Sequence, residues 1–193
     1  MADVVLYHHA QGLTAGVEAF GGDLRAAGHT VHLPDLYEGH VFDTLDDGLA
    51  YAKRTGFGTI MDRGLAAADG LPDTLVYAGF SLGAMPAQRL AQTRAGARGA
   101  LLLHSCFPVQ EFSEAWPAGV PVQVHGMDAD PYMTEEGGDL DAARALVAST
   151  DHAGLFLYPG DQHLFADSSL PSYDEAAAAL LTRRVLTFLD GIR

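Results

Sequence analysis

Six short apolar runs, separated by segments with helical spacing, constrain the fold of this chain more than any other feature of its sequence. The runs are rich in Val, Leu and Tyr, and their shortness predicts buried β-strands. They are DVVLYH (3–8), HTVHL (29–33), TLVYAG (74–79), GALLLH (99–104), PVQVHG (121–126) and GLFLYP (154–159).

The segments between these runs predict helices. Val17 and Leu24 lie on one face of the first, and in the last one Ser172 and Glu175 match a capping box at the helix start. Strands that are apolar on both faces and alternate with helices predict an α/β domain. We therefore expect a single domain over 1–193, with a mostly parallel sheet of about six strands, helices on both faces and no cap domain.

The loops that follow the strands are where a site is expected, because ligands of open α/β sheets bind outside the carboxyl ends of the strands. The segment from Pro34 to Gly58 is the least regular part of the sequence. It predicts either a short helix near 45–53 or a surface excursion beside the site.

The composition excludes several classes of function. The 193 residues include 25 acidic and 11 basic ones, for a formal charge of −14, which disfavours binding to nucleic acid or to anionic membranes. The sequence has no signal-like start and no apolar run of roughly 18 residues, so we expect a cytoplasmic protein. Cys106 is the only cysteine, which excludes a cysteine-rich metal site and predicts a buried small hydrophobe.

The stretch from Gly79 to Gly83 fits the pattern G-x-S-x-G, with Ser81 at its centre. It follows a predicted strand and precedes a helical segment, which is the context of a nucleophile elbow. Glycines flank such a serine because the sharp turn leaves no room for neighbouring Cβ atoms. The pattern predicts that Ser81 is a nucleophile.

A serine nucleophile needs a base and an orienting acid, which in this fold follow it in the order acid, then histidine. His163 lies in the loop after the last strand and is the predicted base. Asp128 and Asp130 both lie in the preceding strand's loop, and their spacing does not separate them. We expect three further histidines to be satisfied core or surface residues, namely His104, His125 and His152.

Four stretches together resemble the dienelactone hydrolase family of α/β-hydrolases. They are PDLYEG (34–39), GFSLGA (79–84), HGMDADPYM (125–133) and YPGDQHLFAD (158–167). The resemblance implies an α/β-hydrolase fold. It also implies that Asp130 is the acid, because Asp130 opens the family's Asp-x-aromatic-apolar pattern. One additional residue between Gly126 and Asp130 keeps Asp128 as the alternative.

Two positions depart from the namesake enzyme of that family. Ser81 stands where dienelactone hydrolase has a cysteine, and His9 stands where it has a glutamate that communicates with the nucleophile. The resemblance therefore implies serine esterase chemistry and disfavours dienelactone as the substrate.

The oxyanion hole is expected from two backbone N–H groups. One belongs to Leu82, which follows the nucleophile, and the other to the loop after the first strand, where Ala10 is the first choice and Gln11 the second. His8 and His9 have no third ligand spaced as in a zinc helix motif, so we expect no metal and no cofactor.

These observations predict a hydrolase that cleaves small carboxylic esters or lactones through an acyl-enzyme. A thioesterase or amidase with the same residues and a non-catalytic binding protein of this fold remain alternatives, and the oligomeric state is open. Further candidates for contact with the substrate are His9, Gln11, Tyr37, Phe107, Met127 and Tyr132.

Overall fold

The computed structural model describes residues 1–136 and 138–192. Its centre is a six-stranded sheet in which every neighbouring pair is parallel, in the order β2-β1-β3-β4-β5-β6. This confirms the predicted parallel sheet. The strands are β1 (Asp3–Tyr7), β2 (Thr30–His32), β3 (Val76–Phe80), β4 (Gly99–Leu103), β5 (Val122–Met127) and β6 (Ala153–Tyr158).

Helices cover both faces of the sheet. In the described part of the chain they are α1 (Ala15–Ala26), α2 (Leu45–Thr55), α3 (Phe57–Ala66), α4 (Ala84–Thr93), α5 (Pro131–Thr134), α6 (Asp139–Ser149) and α7 (Glu175–Gly191). Buried residues of α1 and α7 form the core on one face, and buried residues of α2, α3, α4 and α6 form the core on the other.

Strand β1 shows why the central strands carry apolar residues on both faces. Val4 and Leu6 pack in the core with α1 and α7, whereas Val5 and Tyr7 pack in the opposite core, because successive side chains of a strand point to opposite faces. The chain reverses its direction of travel across the sheet at β1, which places a crevice at the carboxyl ends of β1 and β3.

Two local predictions need correction or completion. The predicted capping box at Ser172 is wrong: Asp174 is the N-cap of α7, and its side chain accepts the N–H of Ala177 at 2.9 Å. An Asp adjacent to the first helical residue provides a cap without the more distant serine. The irregular segment 34–58 holds all of α2, and α3 begins inside it. No helix of the described residues is both long and apolar enough to cross a membrane.

Candidate active site

Ser81 follows β3 directly and lies in a left-handed backbone conformation, with φ of 48°. The flanking glycines make this turn possible. A Cβ on Gly79 would collide with the carbonyl of Gly83, and a Cβ on Gly83 would lie 2.6 Å from the carbonyl oxygens of Tyr7 and His8 in and after β1. Such approaches are closer than packed atoms tolerate. The elbow therefore requires glycine at both positions.

The structure brings together the three residues predicted to act as nucleophile, base and acid. Nε2 of His163 lies 2.9 Å from Oγ of Ser81, and Nδ1 of His163 lies 2.6 Å from a carboxylate oxygen of Asp130. Because a carboxylate only accepts, Nδ1 carries the proton and Nε2 is free to accept the proton of the serine hydroxyl. This arrangement can deliver an activated serine to an electrophilic carbon.

Asp130 is held rigidly for this contact. It is fully buried, it is the N-cap of α5, and its second carboxylate oxygen accepts the N–H of Tyr132 at 2.9 Å. Asp128 is exposed and accepts the N–H of Gly160 at 3.1 Å. The geometry therefore favours Asp130 as the partner of His163.

The two N–H groups predicted for an oxyanion hole belong to the elbow and to the β1 loop, which meet where Gly83 packs against the carbonyls of Tyr7 and His8. Leu82 is the second residue of the 3-10 turn at Ser81–Gly83, and the first N–H groups of a helical turn have no partner within it. The N–H of Gln11 donates to Nδ1 of His9 at 3.1 Å, which leaves Ala10 as the better candidate in that loop. The carbonyl of His9, which shares a peptide group with the Ala10 N–H, accepts the N–H of Gly12 at 3.0 Å, and this bond fixes the orientation of that peptide.

His9 belongs to a buried network that joins the β1 loop to the loop of His163. Its Nε2 lies 2.7 Å from one carboxylate oxygen of Asp167, which also accepts the hydroxyl of Thr14, and the other carboxylate oxygen accepts the hydroxyl of Ser169. Burial opposes ionisation of Asp167, but these hydrogen bonds lower its pKa to about 2. His9 therefore acts on the site through backbone position, because its ring is fully buried and bonded away from the cavity.

A cavity of about 240 Å³ opens beside Ser81 and His163. Of the six predicted contact residues, Phe107 and Tyr132 line it, and the Tyr132 ring lies 4.6 Å from the His163 ring. The other four, His9, Gln11, Tyr37 and Met127, are buried in the surrounding structure and do not line it, which corrects their assignment. A larger cavity of about 380 Å³ lies between α1 and α7 and contains none of the three reacting side chains.

The cavity also includes residues that the sequence did not single out. Leu49 and Phe57 reach it from α2 and α3, so the irregular segment of the sequence does lie beside the site. The polar residues Ser105 and Asp139 line it as well. Ser105 follows β4, so it lies in one of the strand-end loops where a site was expected. Nothing in the sequence places the start of α6 at this cavity.

The three histidines between Ser81 and His163 differ in their surroundings. His125 is satisfied, as predicted, by the Tyr158 hydroxyl at 2.9 Å and the Gln123 side chain at 3.1 Å, and burial lowers its pKa to about 3. His104 corrects the same prediction, because it lines the cavity and neither of its ring nitrogens has a hydrogen-bond partner in the described part of the chain. His152 lies in the turn before β6, with φ of 64°.

Cys106 is fully buried, which confirms the prediction of a small buried residue. Burial raises the pKa of its thiol to about 12, so it is a poor nucleophile. Among residues 1–136 and 138–192, no cluster of three or more His, Cys, Asp or Glu side chains is placed to hold a metal ion.

Solved structures of the same fold carry names that span several hydrolytic activities. A dienelactone hydrolase from Anabaena variabilis is 18% identical, with a TM-score of 0.68, and the alignment covers 100% of this chain and 88% of that one. A cold-adapted esterase from an Arctic intertidal metagenomic library is 18% identical, with a TM-score of 0.67 and coverage of 97% and 82%. The thioesterase domain from the curacin biosynthetic pathway is 16% identical, with a TM-score of 0.63 and coverage of 95% and 90%.

At these identities the structural neighbours show the fold, an α/β-hydrolase fold, and no more than that. A search of curated proteins finds no match. The sequence profile described as "Dienelactone hydrolase family" matches residues 2–192. The match spans the elbow at Ser81, the loops that carry Asp130 and His163, and the final helix. The chain therefore belongs to the dienelactone hydrolase family.

Proposed function

We propose that this protein is a serine hydrolase that cleaves small carboxylic esters or lactones through an acyl-enzyme intermediate. The observation that carries the proposal is the hydrogen-bonded chain from Ser81 through His163 to Asp130, with distances of 2.9 and 2.6 Å. The strained φ of Ser81 supports it, because strain of this kind is concentrated at functional sites.

Acylation begins when Oγ of Ser81 attacks the carbonyl carbon of the ester. The hydroxyl proton passes to Nε2 of His163, and the carbonyl oxygen becomes an oxyanion that the N–H groups of Leu82 and Ala10 bind. Asp130 stabilises the imidazolium without itself taking the proton. The carbon–oxygen bond to the alcohol then breaks, and His163 gives its proton to the departing oxygen.

Deacylation repeats these steps with water. His163 removes a proton from the water while the water oxygen attacks the acyl carbon. The second oxyanion accepts hydrogen bonds from the same two N–H groups. When the intermediate collapses, the carboxylic acid leaves and Oγ of Ser81 recovers its proton from His163. A lactone follows the same course, except that alcohol and acid leave as one molecule.

The size of the cavity favours small substrates. Its volume of about 240 Å³ lies below the roughly 300–1,000 Å³ of pockets that hold drug-sized ligands. Its walls combine apolar groups, such as Leu49, Phe57 and Phe107, with the reacting residues. An acyl or alcohol part of a few carbon atoms fits this space better than a long chain.

The experiment that tests the proposal is covalent labelling followed by turnover. We expect a fluorophosphonate to add once to the wild-type protein, and peptide mass spectrometry to place the adduct on Ser81. Ser81→Ala should lose the adduct and should hydrolyse p-nitrophenyl acetate at least about 10⁴-fold more slowly. Ser149→Ala, an exposed serine at the end of α6, is the matched control and should behave as wild type.

Retained turnover in Ser81→Ala would overturn the proposal, and so would an adduct on a different residue. A protein that neither labels nor hydrolyses any ester would favour the non-catalytic binding alternative. The same residues also suit thioesters and amides, and matched acetyl esters, thioesters and anilides would rank the three bond types. We expect the ester to be cleaved fastest.

A further inference from the structure

One wall of the active-site cavity is polar and has no part in the mechanism above. It consists of His104 and Ser105, which follow β4, and Asp139, the first residue of α6. All three line the same cavity as Ser81 and His163. We refer to these three residues as the polar wall.

Asp139 has unused capacity to accept hydrogen bonds. It accepts the hydroxyl of Ser105 and the N–H of Cys106, the latter at 3.3 Å. An ionised carboxylate offers about four acceptor positions, so about two remain. Burial raises the pKa of Asp139, and the bonds from Ser105 and Cys106 only partly oppose this effect. A further donor would therefore stabilise the ionised form.

His104 is the independent sign that the wall is built for a ligand. It is fully buried, yet neither Nδ1 nor Nε2 has a hydrogen-bond partner among the described residues. Its ring is fixed by Phe80, stacked at 5.7 Å, and by Phe165, edge-on at 4.7 Å. Buried polar groups are normally paired, so a histidine at the cavity wall with two unpaired ring nitrogens calls for a functional explanation.

The charge of the wall restricts what that ligand can be. Burial holds the pKa of His104 well below its usual value, so the ring is neutral and offers one donor and one acceptor. Of the described residues that line the cavity, none is Lys or Arg. A carboxylate on the substrate would therefore meet Asp139 without a compensating cation. A hydroxyl or a protonated amine would meet an acceptor.

We propose that the polar wall is a subsite for a hydrogen-bond donor on the substrate, a hydroxyl or a protonated amine close to the scissile ester. Asp139 accepts a hydrogen bond from this group, and His104 is the other polar residue of the wall that has no partner among the described residues. The inference rests on the proposed function and specifies its substrates as small hydroxy or amino esters. Esters that carry a carboxylate are disfavoured.

The test compares small esters of similar size that differ mainly in one group. The set is methyl 3-hydroxybutyrate, methyl 3-aminobutyrate, methyl 3-methylbutyrate and monomethyl succinate, with 2-hydroxyethyl butyrate and n-propyl butyrate to place the hydroxyl on the alcohol side. Hydrolysis is followed by acid release at constant pH. We expect kcat/KM for the hydroxy or amino ester to exceed that of its alkyl counterpart by about tenfold, the size expected for one hydrogen bond to a charged group.

Asp139→Asn ties the preference to the wall. We expect kcat/KM for the donor-bearing ester to be only about one-fold to threefold that of the alkyl ester in this variant, since a neutral amide is the weaker acceptor. The control is Glu135→Gln, which removes the same charge from an exposed position in the preceding loop. It should leave the ratio unchanged.

Equal kcat/KM values across the wild-type set would overturn the subsite, as would fastest hydrolysis of the succinate ester or a ratio that persists in Asp139→Asn. These outcomes differ from failure of the proposed function, in which no ester is hydrolysed and Ser81 takes no label. The hydroxy and amino esters separate the two sources of the donor, because preference for either one supports the subsite and identifies the group. The wild-type ratios test the inference even if a variant fails to fold.

Discussion

Replacement of Asp130 by Asn should inactivate the protein by reversing the tautomer of His163. One carboxylate oxygen of Asp130 accepts the N–H of Tyr132 at 2.9 Å, and the other faces Nδ1 of His163 at 2.6 Å. The N–H of Tyr132 needs an acceptor, so the amide oxygen of Asn takes that place and its NH₂ group faces Nδ1. Nδ1 must then accept, and the ring proton moves to Nε2.

A proton on Nε2 points at Oγ of Ser81 and prevents His163 from acting as its base. We expect kcat to fall by about 10³ to 10⁴, the scale known for the wrong tautomer in a triad, which corresponds to about 4 to 5.5 kcal/mol of transition-state stabilisation. Folding should survive, because Asn is as good an N-cap as Asp and α5 keeps its cap.

The assay is the kcat for p-nitrophenyl acetate, with thermal unfolding by circular dichroism to check the fold. Asp128→Asn is the matched control, because Asp128 is exposed and the one described hydrogen bond of its side chain comes from the N–H of Gly160 in the neighbouring loop. It should change kcat by about twofold or less, as is usual at exposed positions. A loss in Asp128→Asn as large as that in Asp130→Asn would refute the reasoning, as would an Asp130→Asn protein with more than about a tenth of wild-type kcat.

Three further predictions concern the support of the site. His9→Leu leaves Asp167 buried without its imidazole partner and removes a contact that holds the β1 loop. We expect kcat to fall by up to about 100-fold and the free energy of unfolding to fall by about 1 to 3 kcal/mol. An unchanged kcat would contradict the positioning role. Gly83→Ala forces a Cβ to 2.6 Å from two carbonyl oxygens, so urea denaturation should show a loss of about 1 to 3 kcal/mol or more, and wild-type stability would be incompatible with the elbow geometry. Burial lowers the pKa of His104 and His125 below 6.5, so the folded state binds fewer protons than the unfolded state. The free energy of unfolding therefore falls as the pH drops below 6.5. Each histidine contributes up to about 1.4 kcal/mol per pH unit to this fall. Urea midpoints across a pH series should show a shallower slope for His125→Gln, and identical slopes would disprove the contribution of that histidine.

The parts of the structure that could be predicted are those encoded in one short, continuous stretch of sequence. Each apolar run became a strand within one or two residues of its predicted bounds, because burial on both faces of a parallel sheet demands an uninterrupted apolar run. The elbow around Ser81 was predictable because any such turn needs its two glycines. A side chain at either position would collide with the turn itself or with the adjacent strand. The cap of α7 was missed because Ser172 and Asp174 are both good capping residues and sequence alone does not choose between them.

The chain order of nucleophile, acid and base was also readable, and it narrowed the site to a few loops. The sequence by itself therefore determined the fold class, and it predicted the nucleophile and the candidates for its partners. Only the tertiary structure decided which carboxylate faces His163, because Asp128 and Asp130 differ by two residues in a loop whose path depends on its contacts with β6 and α5. It alone brought Asp139 to the cavity and left His104 buried there without a partner. These arrangements join segments that are distant along the chain, and the physical forces that set them act between side chains which meet only after the sheet has formed.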